Sequence, residues 1–171
     1  MKLNRKSLLK ILGVDEKKLE ERIRIDLSNQ NITQIDEETF RDLKKMESIN
    51  FSGNKISKLG ERSLEGLENL KKINFSDNKI SLIHEEAFKS LKNLERIDLS
   101  GNILDWNIDK QLFFGLEKLT HIYLHDNESL KQNGKLSMHI PDNVQYVTFR
   151  FQTVNDLDIV RNVIIFTCLN S

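Results

Sequence analysis

Along this chain apolar residues return in a constant frame. Ile49-Asn50-Phe51-Ser52-Gly53-Asn54-Lys55-Ile56-Ser57 comes back 24 residues later as Ile73-Asn74-Phe75-Ser76-Asp77-Asn78-Lys79-Ile80-Ser81. One step upstream stands Ile25-Asp26-Leu27-Ser28-Asn29-Gln30-Asn31-Ile32-Thr33, and one step downstream Ile97-Asp98-Leu99-Ser100-Gly101-Asn102-Ile103-Leu104. Ile122-Tyr123-Leu124-His125-Asp126-Asn127 follows after 25 residues, so the fourth unit carries one insertion; a weaker copy, Val147-Thr148-Phe149, comes 25 residues later again. Within each copy apolar and polar residues alternate, which is the pattern of a strand with one buried face.

The stretches between the strands repeat too. Ile35, Leu59, Ile83 and Ile108 form one apolar column, Phe40, Leu64, Phe88 and Phe113 a second, and Leu43, Leu67, Leu91 and Leu116 a third; Met46, Leu70, Leu94 and Leu119 open the following unit. Columns that hold one period over this length mark a solenoid. In it, parallel strands stack at about 4.8 Å and like positions form ladders. No single unit buries its own apolar face, so stability comes from neighbouring coils.

The frame L-x-x-L-x-L-x-x-N-x-I/L, as in Leu70-x-x-Ile73-x-Phe75-x-x-Asn78-x-Ile80, resembles the leucine-rich repeat family. The Phe-x-x-Leu spacing of Phe88–Leu91 and Phe113–Leu116 resembles its typical 24-residue subclass, found in many cell-surface receptors. The resemblance covers roughly residues 22–150. It implies an α/β solenoid: a curved right-handed coil with a parallel β-sheet on the concave face and a short helical N-terminal cap. It also implies that Asn54, Asn78, Asn102 and Asn127 form a structural ladder at the bend, satisfying backbone groups of adjoining coils, and that the Phe column stacks as a spine on the convex side. Gln30 departs from the asparagine position, as suits an end unit, and beyond Asn127 the region around Gly134 replaces the Phe column.

Solenoid ends need cover. Residues 1–22 are read as the N-terminal cap: Ser7 caps a helix over Leu8–Leu12, Gly13 stops it, and Asp15 caps a second over Glu16–Arg22. Leu8, Leu12, Leu19 and Ile23 supply its apolar face. Glu16, Glu20 and Glu21 dilute the basic charge that an amphipathic membrane or calmodulin-binding peptide would carry. Residues 23–150 hold the repeats, about five regular and one irregular. Residues 151–171 form a capping or truncated segment, in which Val160-x-x-Val163-x-Ile165-x-x-Cys168 fits the strand frame with Val163 in the place of Val147.

Composition narrows the function. Lys plus Arg and Asp plus Glu are 26 each, so the formal charge is zero and no global field favours nucleic acid or an anionic membrane. No segment approaches the ~20 apolar residues of a membrane span, so direct membrane insertion is not expected. One cysteine, Cys168, excludes an internal disulfide framework and a Cys-based metal site and leans towards a reducing compartment. Lys10 interrupts the apolar stretch Leu8–Leu12, which makes a poor secretory signal. As the chain stands this points to the cytoplasm; as part of a longer receptor it would lie outside the cell or on its surface. The matches to N-x-S/T at Asn31, Asn50, Asn74 and Asn127 are too common by chance to argue for secretion.

The outward strand positions define the concave face. One row runs Arg24, Ser48, Lys72, Arg96, His121, Tyr146; the next Asp26, Asn50, Asn74, Asp98, Tyr123, Thr148; the third Ser28, Ser52, Ser76, Ser100, His125, Arg150. The first half is small and polar, the second larger and aromatic. Tyr and Arg are favoured interface anchors, so Lys72, Arg96, Asp98, His121, Tyr123, His125 and Tyr146 are the candidate partner-binding residues. Trp106, in the insertion of the fourth unit, is a secondary candidate anchor, as is the divergent stretch Glu128–Lys135. His84 and His139 fall off this face.

Three chemical readings weaken on inspection. His121 and His125 have the H-x-x-x-H spacing of a metal pair, but on a strand they stand ~13 Å apart at ~3.3 Å per residue, and no metal is expected. Ser100 lies beside His125, with Asp98 and Asp126 close, yet serine fills the same column at positions 28, 52 and 76, and no nucleophile elbow accompanies it. There is no P-loop or dinucleotide-binding glycine pattern, so no cofactor is expected. The function expected is therefore a non-enzymatic module that binds a protein partner through its concave face. The alternatives are a fragment of a larger cell-surface leucine-rich repeat receptor, or an intracellular scaffold regulating an enzyme. Oligomeric state is not encoded in these patterns.

Overall fold

The computed structural model describes residues 1–104, 111–127 and 140–148, together with the strand at 164–165. Two short elements open the chain after β1 (Lys2–Leu3): helices α1 (Arg5–Leu12) and α2 (Glu16–Glu20). The strands that follow are β2 (Arg24–Asp26), β3 (Gln34–Ile35), β4 (Ser48–Asn50), β5 (Lys58–Leu59), β6 (Lys72–Asn74), β7 (Leu82–Ile83), β8 (Arg96–Asp98), β9 (His121–Tyr123), β10 (Tyr146–Thr148) and β11 (Ile164–Ile165). Seven of them make one parallel sheet in the order β11-β10-β9-β8-β6-β4-β2. The chain is a parallel-sheet solenoid. Among the described residues no helix is long and apolar enough to cross a membrane.

The register is that of the sequence repeat. Ile25 pairs with Ile49, Ile49 with Ile73, Ile73 with Ile97, Ile97 with Ile122 and Ile122 with Val147. The central residue of each of these strands is buried and its two neighbours point out. A register slip by one residue would turn every isoleucine to solvent, so one buried face pins the whole ladder.

The phenylalanines depart from a continuous spine. Phe88 and Phe113 stack with ring centroids 6.1 Å apart and planes 2° apart, but Leu64 interrupts the column between Phe40 and Phe88. Phe40 instead meets Phe51 edge-on at 5.9 Å, and Phe51 stacks on Phe75 at 5.0 Å. All five rings are fully buried. The stack thus divides, because a leucine offers no aromatic face to continue it.

At the bends of the second to fifth units an asparagine is buried and bonded to two coils. Asn54 Oδ1 accepts from the N–H groups of Gln30 (3.0 Å) and Ile32 (2.9 Å), while its Nδ2 donates to the carbonyls of Leu27 and Phe51. Asn78 Oδ1 accepts from Ile56 N–H, and Nδ2 donates to Phe51 and Phe75. Asn102 serves Ile80, Phe75 and Leu99 in the same way, and Asn127 serves Leu104, Leu99 and Leu124. Only a side chain with both a carbonyl and an amide can accept from one coil and donate to two carbonyls at once.

The residue before each of these asparagines sits in the left-handed region: Gly53, Asp77, Gly101 and Asp126, with Asn29 at the matching place in the first unit. Glycine, Asn and Asp tolerate that conformation best. A Cβ on Gly53 would lie 2.3 Å from Asn29 Oδ1, and one on Gly101 would lie 2.4 Å from Asp77 Oδ1. Small and polar residues therefore alternate down this column, each glycine making room for the side chain of the coil before it.

The N-terminal segment differs from expectation in four places. Asn4, not Ser7, caps α1; Ser7 occupies the third helical position and returns its hydroxyl to the Asn4 N–H in a capping box. Gly13 ends α1 in the left-handed conformation, and Asp15 caps α2, which stops at Glu20 rather than Arg22. Leu8 and Leu19 are buried and Leu12 is partly so, but Ile23 is 52% exposed and does not belong to the apolar face. The fourth difference is β1, which pairs in parallel with β3 by setting Lys2 opposite Gln34 and Leu3 opposite Ile35. Arg5 ties the segment down by an ion pair to Glu16 (2.7 Å) and by donating to the carbonyls of Thr39 and Arg41.

At the other end β11 sets Ile165, not Val163, opposite Val147. The observed register is two residues away from the sequence alignment. A shift of two preserves which side chains face inward, so the apolar alternation of this stretch fits both registers and does not choose between them.

Candidate functional site

The outward rows of the sheet divide into a structural half and a larger, aromatic half. In the first four units the middle-row residue folds back on the serine two positions on. Asp26 Oδ1 accepts from Ser28 N–H (2.9 Å), Asn50 Oδ1 from Ser52 (3.0 Å), Asn74 Oδ1 from Ser76 (2.7 Å) and Asp98 Oδ1 from Ser100 (3.0 Å). Each is a short side-chain-to-backbone turn that ends a strand. The Ser28 N–H, with the Ser28 hydroxyl and Asn50, holds the Asp26 carboxyl below its ordinary pKa, against the opposing effect of burial. The recurring Asx-x-Ser triplet is the sequence signal for this device, and reading the rows only as surface passes over it.

Asp98 therefore stands on the candidate surface with one oxygen committed. Ser100 Oγ also donates to Asp98 Oδ1, at 2.6 Å. In the fifth unit Tyr123 takes the place of the Asx residue and His125 that of the serine, so the turn is lost and larger groups are presented. His125 Nδ1 lies 2.9 Å from Thr148 Oγ1, on the next strand. The Ser100 hydroxyl is thus bonded to Asp98, and the His125 ring to Thr148; no Ser–His hydrogen bond links them among the described residues.

His121 is the centre of the aromatic half. Its ring stacks on Tyr146 of β10 with centroids 4.6 Å apart and planes 22° apart, and lies 6.2 Å from Tyr123 on its own strand. Thr120 Oγ1 is 2.8 Å from His121 Nδ1. Burial, then the positive charge of Arg96 on the adjoining strand, lower the His121 pKa, so the imidazole is neutral near pH 7. Lys72 and Arg96 are exposed, while Asp98, His121, Tyr123, His125 and Tyr146 are half-buried. The fold thus places Lys72, Arg96, His121 and Tyr146 in one row across four adjacent strands. Trp106, His139, Arg150 and Glu128–Lys135 lie outside the described residues. Among those described, no group of three His, Cys, Asp or Glu side chains is placed to hold a metal ion.

One further polar group was not singled out by the repeat. Asn143 Nδ2 donates to the carbonyls of Leu116 (3.1 Å) and Leu119 (2.6 Å), bridging the irregular sixth unit to the fifth. Asn69 and Asn93 sit on the same flank and donate to Lys44 and Glu68 carbonyls, so a second asparagine series is visible only when coils are superposed.

A repeated coil with a parallel sheet, an asparagine ladder and a variable outward face defines a leucine-rich repeat protein. The chain belongs to that family: the BspA type leucine rich repeat region matches it in six copies across residues 18–135. No curated protein matches the sequence. Among solved structures it is similar to a chain of the Toll–Spatzle complex of Drosophila, at 21% identity and a TM-score of 0.70, over 87% of this chain and 20% of that one. It is also similar to a chain of the TLR13–ssRNA13 complex, at 22% identity and a TM-score of 0.61, over 78% of this chain and 19% of that one. At such identities the likeness shows the fold. The chain spans about a fifth of the length of these solved structures.

Proposed function

We propose that this chain is a recognition module that binds a protein partner through the outward face of its seven-stranded sheet and does not itself catalyse a reaction. The observation that carries this reading is the change along the face. Four units present Asx-x-Ser turns that serve the backbone, and the next two present His121, Tyr123 and Tyr146 in ring contact, with His125 hydrogen-bonded to Thr148, on a backbone ladder. Aromatic rings already ordered by stacking lose little conformational freedom on binding, which favours them as anchors. A parallel sheet lets outward residues vary without disturbing the core. The pairing of Ser100 with Asp98 and of His125 with Thr148 favours binding over hydrolysis, since no serine–histidine pair of the hydrolase type forms among the described residues.

The family and fold support a module of this kind, and the solved neighbours are complexes, one with the protein Spatzle and one with a single-stranded RNA. Protein is favoured here because the chain has zero formal charge, whereas nucleic-acid binding rests on clustered cations. The test is affinity capture with the wild type, an Arg96→Ala/Tyr123→Ala/Tyr146→Ala variant, and a Lys58→Ala/Arg62→Ala control on the opposite side. Loss of specific partners from the sheet variant alone is expected. Equal capture by all three would overturn the assignment, and loss of the bound material on ribonuclease treatment would turn it towards RNA.

A further inference from the structure

Charge on the outward sheet face is unevenly satisfied. The carboxylates Asp26 and Asp98 accept hydrogen bonds from Ser28 and Ser100. Lys71, beside this face, is paired with Glu47 at 2.7 Å. Lys72 and Arg96 are different. They stand opposite each other in the register of β6 and β8, both exposed, and neither charged head has a hydrogen-bond or ion-pair partner among the described residues. Like charges placed directly across two strands repel and weaken the pair. Nothing in the fold requires this pair, because the same row holds Ser48 two positions from Arg96.

The next strand sets His121 opposite Arg96, and the one after sets Tyr146 opposite His121. Along the solenoid axis the row therefore reads cation, cation, imidazole, phenol over three strand spacings, ~14 Å. That is the length of four or five residues of extended chain. The last two members are held ring to ring at 4.6 Å.

Building on the reading of this face as a protein-binding surface, we infer that Lys72 and Arg96 form the seat for an acidic segment of the partner, with an aromatic or aliphatic side chain of that segment lying against the His121–Tyr146 stack. A carboxylate between the two cations relieves their repulsion and meets the planar fork of the guanidinium, which suits bidentate bonding to a carboxylate. The stack supplies apolar area beside the charge, the arrangement from which interface anchors are built. A phosphodiester backbone fits less well. It carries a charge at every nucleotide, whereas this row offers two adjacent cations, and Asp26, Asp98 and the Asx-x-Ser turns line the parallel row beside them.

Fluorescence anisotropy tests this with four labelled probes: a peptide of alternating Glu and Tyr, the same peptide with Gln for Glu, the same peptide with Ser for Tyr, and a single-stranded oligouridylate of equal length. The acidic peptide is expected to bind and to weaken with added sodium chloride, and the Gln peptide to bind about tenfold more weakly or worse. The Lys72→Glu/Arg96→Glu variant should lose about tenfold or more for the acidic peptide, while Lys72→Gln/Arg96→Gln should fall between. Circular dichroism melts should show both variants folded, since the side chains are exposed, with the Gln variant at least as stable as the wild type because it removes the repulsion across β6 and β8. Tyr146→Ala should weaken the Glu–Tyr peptide more than a Glu–Ser peptide. Charge reversal without effect on a correctly folded variant, no binding of the acidic peptide, or tighter binding of the oligouridylate would each overturn the inference. If the captured natural partner is lost on Tyr123→Ala/Tyr146→Ala but kept on charge reversal, the sheet face remains the binding surface and only the acidic seat is wrong.

Discussion

Replacing Asn78 by Ala tests how the coils are joined, and the hydrogen bonds allow the loss to be worked out atom by atom. Asn78 accepts from Ile56 N–H at 3.0 Å and donates to the carbonyls of Phe51 (2.9 Å) and Phe75 (3.0 Å). The two carbonyls are shared: Phe51 also accepts from Asn54, and Phe75 from Asn102. After the substitution both keep one donor. The Ile56 N–H keeps none, and Ile56 is fully buried. An orphaned buried donor costs about 1–3 kcal/mol, and the two weakened carbonyls add about 1 kcal/mol together. Asn78→Ala should therefore destabilise the chain by about 2–4 kcal/mol, a large part of a typical total of about 5–15 kcal/mol. Urea unfolding measures the loss, and hydrogen exchange at the Ile56 amide localises it. Asn54→Ala should cost at least as much, because it strips acceptors from both Gln30 and Ile32. An Asn78→Ala variant within about 0.5 kcal/mol of wild type, with the Ile56 amide still protected, would refute the claim that this side chain is what satisfies the bend.

Three further outcomes follow from the packing and the titrating groups. Phe75→Ala removes a fully buried ring stacked on Phe51 and should cost about 3–5 kcal/mol in urea unfolding; a cost under 1 kcal/mol would mean the stack contributes little. Gly53→Ala imposes a Cβ at φ +67° and 2.3 Å from Asn29 Oδ1, so a loss of about 1–3 kcal/mol is expected, part of it recovered when Asn29 is also changed to Gly. The pH dependence should carry the mark of His121. Its folded-state pKa is lowered by burial and by Arg96, so the unfolded chain takes up the proton more readily than the folded one. That contribution is full above the ordinary imidazole pKa of about 6.5 and is lost as pH falls below it towards the folded value. His121→Gln should flatten this part of the stability profile, measured by thermal melts; an unchanged slope would place the titration elsewhere.

The ladder was legible in the residues because a solenoid writes its tertiary contacts into its period. Ile25, Ile49, Ile73, Ile97, Ile122 and Val147 lie one above another in space, as they align in sequence, since each strand's neighbour is the same position of the next coil. The inward isoleucines and the asparagine positions follow from that regularity alone. Contacts that break the period were not legible. The lone pair Lys2–Leu3 has no repeat to announce it, and its place beside Gln34–Ile35 depends on where α1 and α2 return the chain. The two-residue difference at β11 has the same origin: alternation distinguishes inside from outside but is blind to even shifts. On the outward face, sequence placed Ser100, Asp98 and His125 close together, but proximity did not say which of them would bond. Rotamers and the reach across coils decided that. Ser100 turned to the acid two residues back, at the end of β8, His125 to Thr148 of β10, and His121 to the ring of Tyr146, leaving Lys72 and Arg96 with their charges open to solvent.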